Sequence, residues 1–343
     1  MPQLELIASE RDDRAAPAPD GTHAARLHEM LSRYLGPHIV ALMEDDDVTE
    51  IYVNPQDNAI RLDTRSRGKV CSGEVISPHR VEMFLNAVAA HLDLTLTADH
   101  PCLQAELPIE TFRGSRLQGF VPPITAGPSF NIRKPPAQVY TLTDYVKAGV
   151  LSEVQRDALS ESVDRRQNIV IIGGTNSGKT TLANAVIHEI TIRFPGDRLV
   201  VLEDTVELQV SAPDYLALRT NARVSLADLV KRALRTSPNR IIVGEVRGAE
   251  ALDLLDAWAT GHPGGVATLH ASSAEGALHR LDRLAQRTNV PPQPELVAEA
   301  VGVVVAIEGT SVARRVTQIA RVRGLAPTGQ FNLQILTASG EWQ

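Results

Sequence analysis

Cysteine is nearly absent from this chain: only Cys71 and Cys102 occur among 343 residues, far apart and without a C-x-x-C partner. That excludes a disulfide framework and a cysteine zinc site, and both thiols are expected to be small core residues. Aromatic residues make up only 4%, poor material for a base-stacking surface. Positive charge is outnumbered, with 34 Lys and Arg against 41 Asp and Glu and a formal net charge of -7. A surface built for phosphate backbones is therefore not expected, nor nucleic acid as a direct substrate. The longest apolar runs, such as residues 301–307 (VGVVVAI), are far short of the roughly 20 residues that span a bilayer. The start of the chain lacks the charged-then-apolar pattern of an export signal. The expectation is a cytoplasmic protein with no integral membrane segment. The spacing of His262, His270 and His279 fits no zinc framework, so no structural metal is expected.

What the chain does have is 43% hydrophobic residues over a length that suits two domains. Residues 1–22 are charged and Pro/Ala-rich and read as a flexible tail. Residues 23–134 read as a smaller α+β domain. Helical spacing runs from His23 to Met43, and Val48–Val53 alternates like a strand. A turn at Asn54–Asp57, a strand at Ala59–Leu62 and a helix from Pro78 to Leu92 follow. Short strands are expected at Leu103–Ile109, Leu117–Val121 and Phe130–Arg133. Lys134-Pro135-Pro136 ends regular structure, which places a linker over 135–145. Residues 146–343 then alternate strands, near Ile169–Ile172, Leu199–Glu203, Ile241–Glu245 and Val266–His270, with helical patterns. This is the signature of an α/β fold with a parallel-rich sheet.

Directly after the first of these strands comes Gly173-Gly174-Thr175-Asn176-Ser177-Gly178-Lys179-Thr180, a full G-x-x-x-x-G-K-T phosphate-binding loop, followed at Thr181 by a helical pattern. Its glycines let backbone N–H groups point at phosphate oxygens, and the helix start adds a positive dipole end. Lys179 would reach the β and γ phosphates of ATP, and Thr180 would hold Mg2+. Asn176 stands where glycine is common and can adopt a left-handed conformation.

Ligands of open α/β sheets bind beyond the carboxyl ends of the strands. The other expected strands end there in Glu203-Asp204-Thr205, Gly244-Glu245 and Thr268-Leu269-His270. Hydrolysis needs one carboxylate to deprotonate water and another near the metal. Glu203 and Glu245 suit the two roles, and the residues alone leave open which is which. His270 is a candidate contact to the γ-phosphate, and His262 a loop residue. Arg232, Arg235 and Arg240 surround a helix capped at Ser225, and Arg247 follows Glu245. Arg113, Arg116 and Arg133, in Gly/Pro-punctuated loops and strands of the first half, are candidate arginine fingers.

These motifs together resemble the secretion traffic ATPases, the hexameric motors of type IV and type II secretion and of type IV pili, over about residues 35–335. Residues 202–208 (LEDTVEL) resemble that family's Asp box, 241–247 (IIVGEVR) its acidic strand motif, and the stretch from Thr260 to Ala271 its His box. The Glu-Asp-Thr and Leu-His-Ala variants, with Tyr52-Val53-Asn54-Pro55, are similar to the TrbB-type conjugal transfer ATPases, and the type II zinc module is missing. The resemblance implies a RecA-like P-loop ATPase domain behind a smaller α+β N-terminal domain, six subunits in a ring, and ATP with Mg2+. It implies Glu203 as catalytic base, Thr180 and Glu245 on the magnesium side, the latter through water, and Arg133 as an arginine reaching nucleotide. It also implies inner-membrane channel components as partners at the cytoplasmic face. The same motifs leave room for a type II secretion or pilus motor, a single-strand nucleic-acid translocase, a small-molecule kinase, or a nucleotide-binding scaffold.

Overall fold

The computed structural model describes residues 21–135, 139–221, 223–310 and 313–343. The expected tail over 1–22 lies outside them except for its last two positions, which begin a helix, Gly21–Leu35. The continuous helical spacing of 23–43 is realised as two helices, because Gly36 takes φ 84° and Pro37 opens the second, Pro37–Glu44. Proline costs nothing at a first helical position, where its missing N–H has no partner anyway. The end of the first helix is held by Arg80, which donates to the carbonyls of Tyr34 and Arg33 at 3.0 and 2.9 Å.

Six strands follow in an antiparallel sheet: β1 (Val48–Val53), β2 (Ala59–Thr64), β3 (Gly68–Val75), β4 (Cys102–Glu106), β5 (Arg116–Phe120) and β6 (Ser129–Arg133). Their order is β3-β2-β1-β6-β5-β4. One face is packed on the Gly21–Leu35 and Pro78–His91 helices through Leu31, Ile51, Phe84, Leu85, Leu117 and Ile132. Two sequence expectations fail here. The strand expected over Leu103–Ile109 stops at Glu106 and gives way to a short helix, Ile109–Phe112, since Pro108 has no N–H for the ladder. Cys71 and Cys102 are exposed, not core, because the two-residue period of β3 and β4 turns them away from the packed face. β3 itself went unexpected: its sequence, GKVCSGEV, is polar and mostly unburied, and only pairing with β2 makes it a strand.

The second sheet has eight strands: β7 (Ile169–Ile172), β8 (Leu199–Glu203), β9 (Tyr215–Arg219), β10 (Arg240–Val243), β11 (Val266–Leu269), β12 (Val303–Glu308), β13 (Arg315–Leu325) and β14 (Phe331–Ile335). The order is β14-β13-β12-β7-β11-β10-β8-β9. Strands β12 to β9 along that order are parallel, and β13 and β14 continue antiparallel. Every residue of β7, β8, β10 and β11 is buried, so these strands read as apolar runs without alternation. Two are shorter than expected: β10 stops at Val243 and β11 at Leu269. Glu245 and His270 therefore sit just past the ladders.

The opposite ends of these strands are closed by a different device. Arg240, in sequence one of several arginines flanking a capped helix, is fully buried at the start of β10. It donates to Asp197 at 2.7 Å and to the Gly264 carbonyl at 3.0 Å. Its guanidinium lies 4.5 Å from the Phe194 ring, and Arg166 lies 4.6 Å from the same ring. Arg166 also donates to Asp197 at 2.8 Å, so two cations share one carboxylate and one aromatic ring. Gly264 makes room for this packing, since a Cβ there would run into the Arg240 guanidinium, and a Cβ on the adjacent Gly265 would collide with the Trp258 indole and the Ile241 carbonyl. Those glycines serve the core, not chemistry. Gly265→Ala is expected to cost about 1–3 kcal/mol through overpacking, read as a lower urea midpoint, whereas Gly196→Ala, with open space around it, should leave the midpoint in place.

Candidate active site

β7 is followed by the glycine-rich loop, and the loop by the helix Lys179–Arg193, whose N-cap is Gly178 at φ 96°. Asn176 takes φ 59°, the left-handed conformation asparagine tolerates. A Cβ on Gly173 would run into the Ile307 carbonyl and the Ser177 hydroxyl. The hydroxyl of Ser177 donates to the Gly174 carbonyl at 2.9 Å, and Lys179 Nζ donates to the same oxygen at 2.7 Å. The loop is thus tied across its mouth, with the ammonium drawn into it. Burial lowers the Lys179 pKa, opposed chiefly by Glu245.

Glu203 ends β8 and is 5% exposed. Its Oε1 accepts from the backbone N–H of Glu207 and of Leu208 at 2.9 and 2.8 Å. Burial nevertheless dominates and raises its pKa to about 7. Glycine at 244 matters for this contact, since a Cβ there would lie 3.0 Å from Glu203 Cγ. Glu245 faces the same region. Burial would raise its pKa, but a 2.5 Å hydrogen bond from Arg247, together with the charges of Arg247 and Lys179, leaves it lowered. The turn that carries it is pinned by Glu250, which accepts from the N–H groups of Arg247 and Gly248 at 2.6 and 2.7 Å.

His270 stands between the charged groups, with Nδ1 3.4 Å from Lys179 Nζ and Nε2 3.2 Å from Glu245 Oε1. Burial and the Lys179 charge hold its pKa down. A neutral ring that accepts from lysine and donates to glutamate satisfies both contacts. His262 is in the loop, as expected, 3.2 Å from the Ala257 carbonyl.

The two sheets face one another across a cleft of about 1040 Å3, with Thr175, Asn176, Gly178, Thr180 and Thr181 on one wall and Arg116 and Arg133 on the other. The first-half arginines are not equivalent. Arg116 reaches across to Glu207 at 3.2 Å. Arg133 pairs with Glu50 at 3.7 Å on the neighbouring strand and is close enough to Lys179 to lower its pKa. Arg113 does not line the cleft and binds Asp46 at 2.8 Å. A second link between the sheets joins Arg219 to Glu106 at 2.9 Å.

Two neighbours of the loop escaped sequence reasoning. Arg314 lies directly on Gly178, where a Cβ would come 2.6 Å from its Nε, and its Nη2 donates to the Asn176 carbonyl at 3.3 Å. Glu207 accepts from the Thr180 hydroxyl at 3.2 Å. Only the second carried a signal, its place in the acidic segment 203–207.

A sequence-family model described as "Type II/IV secretion system protein" matches residues 26–322. Over 309 residues the chain is 43% identical to a probable conjugal transfer protein TrbB of Sinorhizobium fredii, covering 90% of this chain and 93% of that one. It is 33% identical over 337 residues to the type IV secretion system protein PtlH of Bordetella pertussis, covering 87% and 93%. Among solved structures, the Legionella pneumophila ATPase DotB aligns with a TM-score of 0.56 at 16% identity, over 97% of this chain and 83% of that one. At that identity the likeness concerns the fold.

Glu203 supplies a test of the site's electrostatics. Its pKa is raised from 4.5 to about 7 in the folded chain, so the folded state binds the extra proton. The stabilisation is complete below pH 4.5 and is lost as pH rises through about 7. Relative to Glu203→Gln, the wild type should lose about 3 kcal/mol of unfolding free energy across that window. Equal pH slopes for the two proteins in urea titrations would show that Glu203 is not buried in this way.

Proposed function

The chain belongs to the type II/IV secretion system protein family, and from that membership we propose that it is an ATPase that powers substrate transfer or pilus assembly at a type IV secretion or conjugation channel. The 43% identity to a conjugal transfer protein favours the conjugative branch over a type II secretion or pilus motor. The reading takes residues 23–134 as an N-terminal domain, 135–145 as a linker and 146–343 as a RecA-like P-loop ATPase domain. It takes the working assembly as a homo-hexamer, at the cytoplasmic face of the inner membrane through its channel partners. No helix among the described residues is long and apolar enough to cross a membrane.

The observation that carries this reading is the convergence of the phosphate loop, Glu203, Glu245 and His270 at the carboxyl ends of β7, β8, β10 and β11. The residues present fit Mg-ATP. The Thr180 hydroxyl, the Glu207 carboxylate and the guanidiniums of Arg116, Arg133 and Arg314 border the cleft, Lys179 lies in the adjoining loop, and hard oxygen donors suit Mg2+. Backbone N–H groups of the loop and the start of the Lys179–Arg193 helix would hold phosphates, with Gly173 to Thr181 as the cradle. Thr180 and Glu245 would hold the metal, which when bound neutralises charge on the β and γ phosphates.

The chain's own groups then do the following. Glu203, with Oε1 held by two amides, takes a proton from water at its other oxygen. Its pKa near 7 suits a base working close to neutrality. Lys179 opposes the phosphate charge, and His270 keeps Lys179 and Glu245 in register. Arg133 and Arg116 supply further positive charge from the first sheet when the cleft closes, whereas Arg113, which does not line the cleft, stays with Asp46.

ATP turnover per chain should rise with protein concentration as rings assemble. Glu203→Gln should cut kcat by about 10^2 to 10^4 while nucleotide binding persists, and Lys179→Ala should remove binding. Turnover independent of concentration, or phosphoryl transfer to a small acceptor, would move the chain to a monomeric kinase.

A further inference from the structure

Thr180 has one hydroxyl proton and two lone pairs. The proton goes to Glu207, Oγ1 to Oε2 at 3.2 Å, which turns the lone pairs away from that carboxylate. The geometry points to Glu207 as the positioning residue of the magnesium site: it holds the Thr180 hydroxyl in the orientation that presents a lone pair to the cation. This assignment rests on the ATPase reading above. It adds to Glu245 a carboxylate that touches the cation-binding hydroxyl directly. Glu245 itself is engaged by Arg247 at 2.5 Å and His270 at 3.2 Å.

Glu207 is held from three directions. Its N–H donates to the Oε1 of Glu203 at 2.9 Å. Its carbonyl accepts from Asn184 Nδ2 at 3.2 Å, and Asn184 Oδ1 in turn accepts from the N–H of Gln209 at 2.9 Å. Asn184 is 1% exposed and lies four residues after Thr180, on the same helical face. A buried asparagine there is otherwise costly, and its use is to moor the Glu207 segment over Thr180. The remaining carboxylate oxygen, Oε1, meets Arg116 at 3.2 Å. One residue therefore joins the base through its N–H, and the cation-binding hydroxyl and the first sheet through its carboxylate. Loss of an outer-shell partner of this kind weakens metal binding by about 10- to 100-fold.

The test uses full-length protein, ADP and Mn2+ as the paramagnetic probe. ADP affinity without metal is measured by calorimetry, and Mn2+ affinity of the protein–ADP complex by electron paramagnetic resonance. Glu207→Gln is expected to leave metal-free ADP affinity within about twofold and to weaken Mn2+ by about 10- to 100-fold. Asn184→Ala should give a smaller change in the same direction with Glu207 intact. Unchanged Mn2+ affinity in Glu207→Gln, or an equal loss of ADP with and without metal, overturns the assignment and leaves Glu207 as a tie to Arg116. A wild-type chain that binds no ADP overturns the ATPase reading itself, and is distinguished by failing before any variant is compared.

Discussion

Strands buried on both faces leave a charged side chain only two places to go, the edges where the strands begin and stop. β7, β8, β10 and β11 are of this kind along their whole length. At their starting edge, charge is paired in place: Arg240 and Arg166 share Asp197 and the Phe194 ring. At the carboxyl edge each charged group has its own partner. Lys179 is drawn to a carbonyl, Glu245 to Arg247, and Glu203 to two backbone amides. The first arrangement stabilises a fold, and the second keeps ionisable groups available for a ligand.

Burial has opposite consequences for the two glutamates at that edge. Glu203 has backbone amides against the cost of burial and still titrates near 7. Glu245 has a guanidinium and stays ionised. Two carboxyl groups with pKa values pushed apart by their surroundings is the arrangement by which one site assigns a proton acceptor and a permanent charge. The neutral imidazole of His270 fits between Lys179 and Glu245 without adding a third charge.

Much of this was legible before any coordinates. A G-x-x-x-x-G-K-T loop after an apolar strand declares itself, because each glycine answers a backbone requirement, such as the left-handed Gly178. The apolar strands of the second sheet were visible for the same reason that they are buried. What escaped depends on contacts between distant parts of the chain. Arg314 meets Asn176 across 138 positions, and Arg116 meets Glu207 across two sheets. β3 is a strand only because β2 pairs with it. The exposed Cys71 and Cys102 were misread because composition says that cysteine is usually buried, whereas strand register decides which face it takes. Gly36-Pro37 interrupts a helix whose apolar spacing runs on undisturbed, so periodicity alone missed the break.

The central claim is that the two sheets bound one nucleotide site between them. Its most direct test is the affinity of the chain for Mg-ADP in wild type and in the Arg116→Ala, Arg133→Ala double variant, with the Arg113→Ala variant as reference. A site shared between the sheets predicts at least a tenfold loss, about 1.4 kcal/mol, in the double variant and little change in the reference. Equal affinity in all three would contradict it and confine the nucleotide to the second sheet alone.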